Sequence, residues 1–189
     1  MFDLPLHPIV VHFPIVLGSL LPVVALALWW VIKKGQWTPK VWALVSAMAL
    51  VYSLSAVAAV QLGEADEEKV EKVVSERVIE EHEEAAELIP WIAGALFLVS
   101  LGGFTVKYQK QARLALIVLS LVAVVPLINA GHTGGELVYQ HGAAVAHLSP
   151  EHKAAIQSGT ILQLHEKGDH GEDDHEKGDD DEDDHDQDD

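Results

Sequence analysis

The sequence predicts an all-α integral membrane protein: a four-helix bundle with an outer amphipathic helix and a disordered acidic C-terminal tail. Three observations carry that expectation. Four apolar runs are long enough to cross a bilayer, a helix needing roughly 20 apolar residues to span about 30 Å of hydrocarbon. Charge is clustered, residues 165–189 holding 15 acids and two lysines, or −13 of the formal −17. The segments between the runs also differ in sign, two short basic loops bracketing one long acidic connection. A chain that is 49% hydrophobic and 22% charged in this pattern is a membrane domain with an appended soluble tail.

The elements follow in order. Residues 4–32 carry no formal charge, and the first helix is expected over 9–32. Pro8 suits its start, where a missing N–H costs nothing, while Pro14 should disturb the first turns and free a carbonyl. No cation precedes this run and no small-residue cleavage pattern follows it, so it is expected to stay as a helix and not to be removed as a signal peptide. The other membrane helices are expected over 41–62, 88–106 and 114–131, the last being short and extended by uncharged residues through Gly135. Between the second and third, Val70, Val74, Val78, His82, Ala86 and Ile89 fall at helical spacing among acids. That spacing predicts an outer amphipathic helix over 64–87 with a docked apolar seam, either continuous with the third membrane helix or kinked from it at Pro90. The membrane domain is thus expected over 1–148 and the soluble tail over 149–189. From 165 the tail has too little apolar surface to fold.

Lys33, Lys34 and Lys40 lie in the first loop and Lys107, Lys110 and Arg113 in the third, against Lys69, Lys72 and Arg77 in the acidic connection. Six against three places the short loops inside and both termini outside. The absence of cysteine removes disulfides, thiolate metal sites and cysteine nucleophiles. An acidic chain repels nucleic acid, so no nucleic-acid partner is expected. No HExxH, nucleophile elbow, phosphate-binding loop or dinucleotide fingerprint occurs, and the apolar runs lack the mid-membrane charges of a pump. A binding role is therefore favoured over an enzymatic one.

The topology collects His7, His12, His82, His132 and His141 at the outer end of the bundle. One interfacial histidine is ordinarily just hydrogen-bonded, but five on one side point to a site, and imidazole is a favoured ligand for iron, copper and zinc. In "GHTGGELVYQHG" (131–142), Gly131, Gly134 and Gly135 permit a tight turn. The chain is expected to double back there as a lid that brings His132, Glu136 and His141 towards His12, with His7 outside the bundle. A plain helix C-cap and interfacial turn would also use those glycines.

Three functions are open. The first is b-type haem binding for electron transfer or redox sensing, with His12 and either His132 or His141 as ligands and His82 as the alternative partner. The second is a non-haem site for divalent cations, built from His7, His12, His132 and Glu136. The third is a scaffold subunit whose histidines only satisfy hydrogen bonds. The tail reads HEKGD, HGEDD, HEKGD, DDEDD, HDQDD, and His165, His170, His175 and His185 beside carboxylates suit weak binding of Zn, Ni or Cu. A merely solvating tail needs only the acids. The partners expected are the lipid bilayer and a redox partner or divalent cations. Oligomeric state stays open, because Gly102-Gly103 packs equally well within a bundle or between protomers.

"LHPIVVHFPIVL" near the start and "GHTGGELVYQHG" near the end resemble the signature ends of a bacterial family of predicted four-helix inner-membrane proteins, domain-of-unknown-function family 2231. The similarity covers roughly residues 4–145. His12 and Pro14 match its "VHFP" element. Gly134, Gly135, Leu137, Val138, Tyr139 and Gly142 match "GGxLVYxxG", and His132 and His141 match histidines common there. His82 falls where such proteins often carry a histidine, within a connection longer and more acidic than usual, and the histidine-rich tail lies outside the pattern. The resemblance implies the fold and a bacterial inner (plasma) membrane location, and no settled activity.

Overall fold

The structure, a computed structural model, describes residues 5–158, in which every regular element is helical. The helices are α1 (His7–Val10), α2 (His12–Lys33), α3 (Trp42–Val70), α4 (Glu76–Leu101), α5 (Gln109–Tyr139) and α6 (Pro150–Gln157), with 3₁₀ turns at Pro39–Val41, Gly102–Phe104 and Ala143–His147. The described residues hold four stretches long and apolar enough to cross a membrane: His7–Lys33, Pro39–Val70, Glu76–Phe104 and Gln109–Tyr139. This is an all-α membrane bundle, as the apolar runs predict.

Proline chemistry shapes its first helix. Pro8 sits in the first turn of α1. Pro14 has no N–H to give the Val10 carbonyl, and α1 stops at Val10 before α2 resumes at His12. Pro22, Pro90 and Pro126 each lie inside a helix that continues past them.

Small residues draw the helices together. On α3 the buried positions Val45, Ala49, Tyr52 and Ala56 recur at helical spacing and meet Leu21 and Ala25 of α2, Ala93 and Leu96 of α4, and Leu116 and Leu127 of α5. In lipid, where apolar faces gain little from leaving solvent, such close van der Waals packing holds helices together. The opposite faces carry exposed apolar residues such as Leu44, Leu54, Leu98, Val122 and Val125, which suit contact with hydrocarbon.

Two local expectations give way to tertiary structure. Residues 64–87 do not form one outer helix. They are shared between the end of α3 and the start of α4, with a turn over 71–75. The predicted seam is present, but it folds across that turn: Val70, Val74, Val78 and Ile79 close on Leu137 and Ala143. Two antiparallel arms can bury that seam against α5, and the second arm runs unbroken through Pro90 into the third membrane helix, the continuity that the spacing also allowed. Nor does the chain double back after Asn129. Residues 131–139 continue α5, burying Thr133 and Leu137 on one face, and the positive φ of 70° comes at Gly142. Continuing the helix satisfies each backbone group internally, which a turn at the membrane edge would not.

A second compact unit begins at Leu148. Its described part is α6, where Ser149 caps the helix by accepting from the His152 N–H at 3.3 Å.

Candidate functional site

The lengthened arms bring four helices to one end of the bundle, and two imidazoles meet there. His7 of α1 and His82 of α4 have ring centroids 6.3 Å apart and planes crossing at 81°. Both are half-buried.

Each ring is held by its Nδ1. His7 Nδ1 lies 2.8 Å from the Ala59 carbonyl of α3. A carbonyl only accepts, so His7 Nδ1 carries the proton and donates. His82 Nδ1 lies 2.9 Å from Thr133 Oγ1 on α5, and the Thr133 hydroxyl donates in turn to the Ala130 carbonyl at 3.2 Å. One arrangement satisfies both contacts: the Thr133 hydroxyl donates to Ala130 and its oxygen accepts from the Nδ1–H tautomer of His82. In that arrangement each ring, when neutral, leaves Nε2 as the nitrogen with a lone pair to offer. Tying one ring nitrogen to a protein acceptor is how proteins orient imidazole for coordination through the other.

Two glycines admit the rings. A Cβ on Gly63 would stand 3.2 Å from His7 Cε1, and one on Gly134 would stand 3.0 Å from His82 Cε1. Gly134, expected to serve a turn, is instead a helical glycine that lets α5 approach His82. Gly131 and Gly135 face open space. Beside the pair the field is negative: Glu83, next to His82 in sequence, is surrounded by Glu64, Glu67 and Glu87, its carboxyl within hydrogen-bonding reach of that of Glu67.

The other candidate residues lie elsewhere. His12 is exposed on α2, and His141 is exposed just before Gly142. His132 turns to the outer face of α5, its side chain 69% exposed and its Nε2 3.4 Å from Glu136 one turn on. No contact joins His12 to His132 or His141, and among the described residues no group of three or more His, Asp or Glu is placed to hold a metal ion. The lid that would have assembled His7, His12, His132 and Glu136 is absent because α5 runs straight through it. His7, expected outside the bundle, packs against α3. His165, His170, His175 and His185 lie outside the described residues.

Thr133, Gly63 and the Ala59 carbonyl were not singled out from sequence. For Thr133 a signal exists: it stands at i, i+4 with Leu137 on the apolar face of the extended α5, while His132 stands about 100° away. A backbone carbonyl leaves no trace in a sequence.

The family model described as a predicted membrane protein, DUF2231, matches residues 3–147. No curated protein and no solved structure matches the chain.

Proposed function

The chain belongs to the DUF2231 family of predicted membrane proteins, and we propose that this member binds a b-type haem axially through His7 and His82 for electron transfer or redox sensing. The observation that carries the proposal is the pair of imidazoles on different helices, each hydrogen-bonded through Nδ1, which leaves Nε2 to offer a ligand. The donor set fits this group better than a bare ion. A porphyrin brings four equatorial nitrogens and asks the protein for two axial ones, whereas an ion without a macrocycle needs three or more protein ligands, which the described residues do not assemble. When bound, haem supplies a one-electron iron couple.

The protein residues do the rest. Ala59 and Thr133 would hold the tautomers, Gly63 and Gly134 leave room for the rings, and the carboxylates around Glu83 would favour the more positive oxidation state of a bound haem. The loop charges support a bacterial inner-membrane orientation with this end outside, since Lys33, Lys34, Lys40, Lys107, Lys110 and Arg113 all stand at the other end. A reporter fused after Asp189 should then be active on the outer side, and activity confined to the cytoplasm would refute that orientation.

The test of the site is an absorption spectrum of the detergent-purified full chain. The wild type should show a Soret band that shifts on reduction. His7→Ala and His82→Ala should each abolish or shift it, while His12→Ala, His132→Ala and His141→Ala should leave it intact. A haem-free protein from haem-replete cells, or a band surviving both His7→Ala and His82→Ala, would overturn the proposal.

A further inference from the structure

The opposite end of the bundle carries a second set of polar groups. Arg113, in the first turns of α5, is only 5% exposed. Its Nε and Nη2 donate to the Gly103 carbonyl at 3.1 and 2.8 Å, and its guanidinium lies 5.1 Å from the centre of the Trp42 ring. These contacts orient the group without neutralising it. Residues 4–63 and 88–135 contain no aspartate or glutamate, so this end of the bundle supplies no carboxylate to pair with it. A buried charge without a counter-ion is destabilising until one is supplied. The Nη1 donors have no acceptor among the described residues, yet they are not sealed in protein, since the buried side-chain atom lacking a partner there is Tyr52 Oη. Arg113 lines a cavity of about 400 Å³ with Lys40, Gln109, Pro39, Ala43 and Phe104.

The cavity has the lining of an anion site with an apolar rim. Lys40 and Arg113 are its cations, and Gln109 adds a side-chain amide. Other cations of this end are engaged elsewhere: Lys33 over Trp29, Lys34 over Trp30 and Lys107 over Tyr108, at 4.9, 4.0 and 5.0 Å. These paired aromatic and basic side chains are typical of a membrane–water interface. We propose that this cavity takes the phosphate of an anionic phospholipid headgroup, with Arg113 and Lys40 as counter-ions and Phe104, Pro39 and Ala43 against the glycerol and upper acyl chain. A free phosphate would meet the same cations but would leave that exposed apolar wall uncovered. Basic pockets between membrane helices bind anionic headgroups in this way.

The full chain in uncharged detergent is titrated with phosphatidylglycerol, with phosphatidylcholine, and separately with inorganic phosphate, and thermal unfolding is followed. Phosphatidylglycerol should stabilise the wild type more than phosphatidylcholine does, and inorganic phosphate should do neither. Lys40→Gln, an exposed change that spares the fold, should weaken the apparent phosphatidylglycerol affinity about fivefold. Lys34→Gln removes the same charge outside the cavity and should change it less than twofold. Equal losses in the two variants would mean diffuse attraction to the basic end and overturn the proposal. So would equal stabilisation by both lipids, or stabilisation by inorganic phosphate alone. None of these outcomes depends on the histidine pair.

Discussion

Replacing Thr133 by valine tests the anchoring of His82 directly. Valine keeps the shape of threonine and exchanges the hydroxyl for a methyl, so packing against Leu137 and the α4 arm is preserved while the acceptor for the His82 Nδ1–H, 2.9 Å away, is lost. Thr133 is 7% exposed, so water cannot simply take its place. A buried donor left without an acceptor costs about 1–3 kcal/mol. His82 is half-buried and can turn part of its edge to water, which favours the lower half of that range. For a chain of this length about 1–2 kcal/mol corresponds to a fall of roughly 2–8 °C in the unfolding midpoint. Circular dichroism in detergent should register that fall for Thr133→Val. Thr133→Ser, which keeps the hydroxyl, should recover most of it. In a His82→Ala background the same Thr133→Val change should cost little, because the group it strands is gone, giving a coupling well above the ~0.5 kcal/mol scatter of independent sites. An undiminished midpoint for Thr133→Val, or equal costs with and without His82, would refute the anchoring.

Three further outcomes follow from the glycines and the tail. Gly131→Ala, at a helical position with no atom within 4 Å of the added Cβ, should stabilise the protein by about 0.5–1 kcal/mol. Gly142→Ala, at φ 70°, should cost about 1–2 kcal/mol. The opposite order in thermal unfolding would return the chain reversal to Gly131. Gly103→Ala would drive a methyl into the Trp42 indole, which cannot swing away while its Nε1 donates to the Ser100 carbonyl at 3.0 Å. A loss of about 3 kcal/mol or more, seen as reduced monodisperse yield by size exclusion, is expected, and wild-type yield would show that Trp42 is free to move. Deleting residues 165–189 should abolish most weak Zn²⁺ or Ni²⁺ binding while leaving any Soret band in place. Unchanged metal stoichiometry by calorimetry would refute a metal-binding tail.

What the sequence by itself determined is the membrane architecture. Apolar run length and proline position act locally, through the thickness of hydrocarbon and the missing N–H, so four spanning helices and the interruption near Pro14 could be read without knowing any partner. The gathering of histidines at one end was legible too, because antiparallel connectivity alone puts the start of the first membrane helix, the end of the fourth and the acidic connection together. Which histidines meet was decided only by tertiary structure. His7 and His12 are five residues apart, or about 140° around a helix, so a single face can turn just one of them inward, and both have apolar neighbours. The choice falls on His7 because the Ala59 carbonyl and the bare Cα of Gly63 stand on the facing helix, features with no periodic signature. His82 is selected over His132 likewise: α5 presents Thr133 and Gly134 to the bundle, which leaves His132 with Glu136 at the surface. Local sequence sets where a helix runs, but a pair of side chains is set by the rotation of two helices about their axes, and that is fixed only when both are packed.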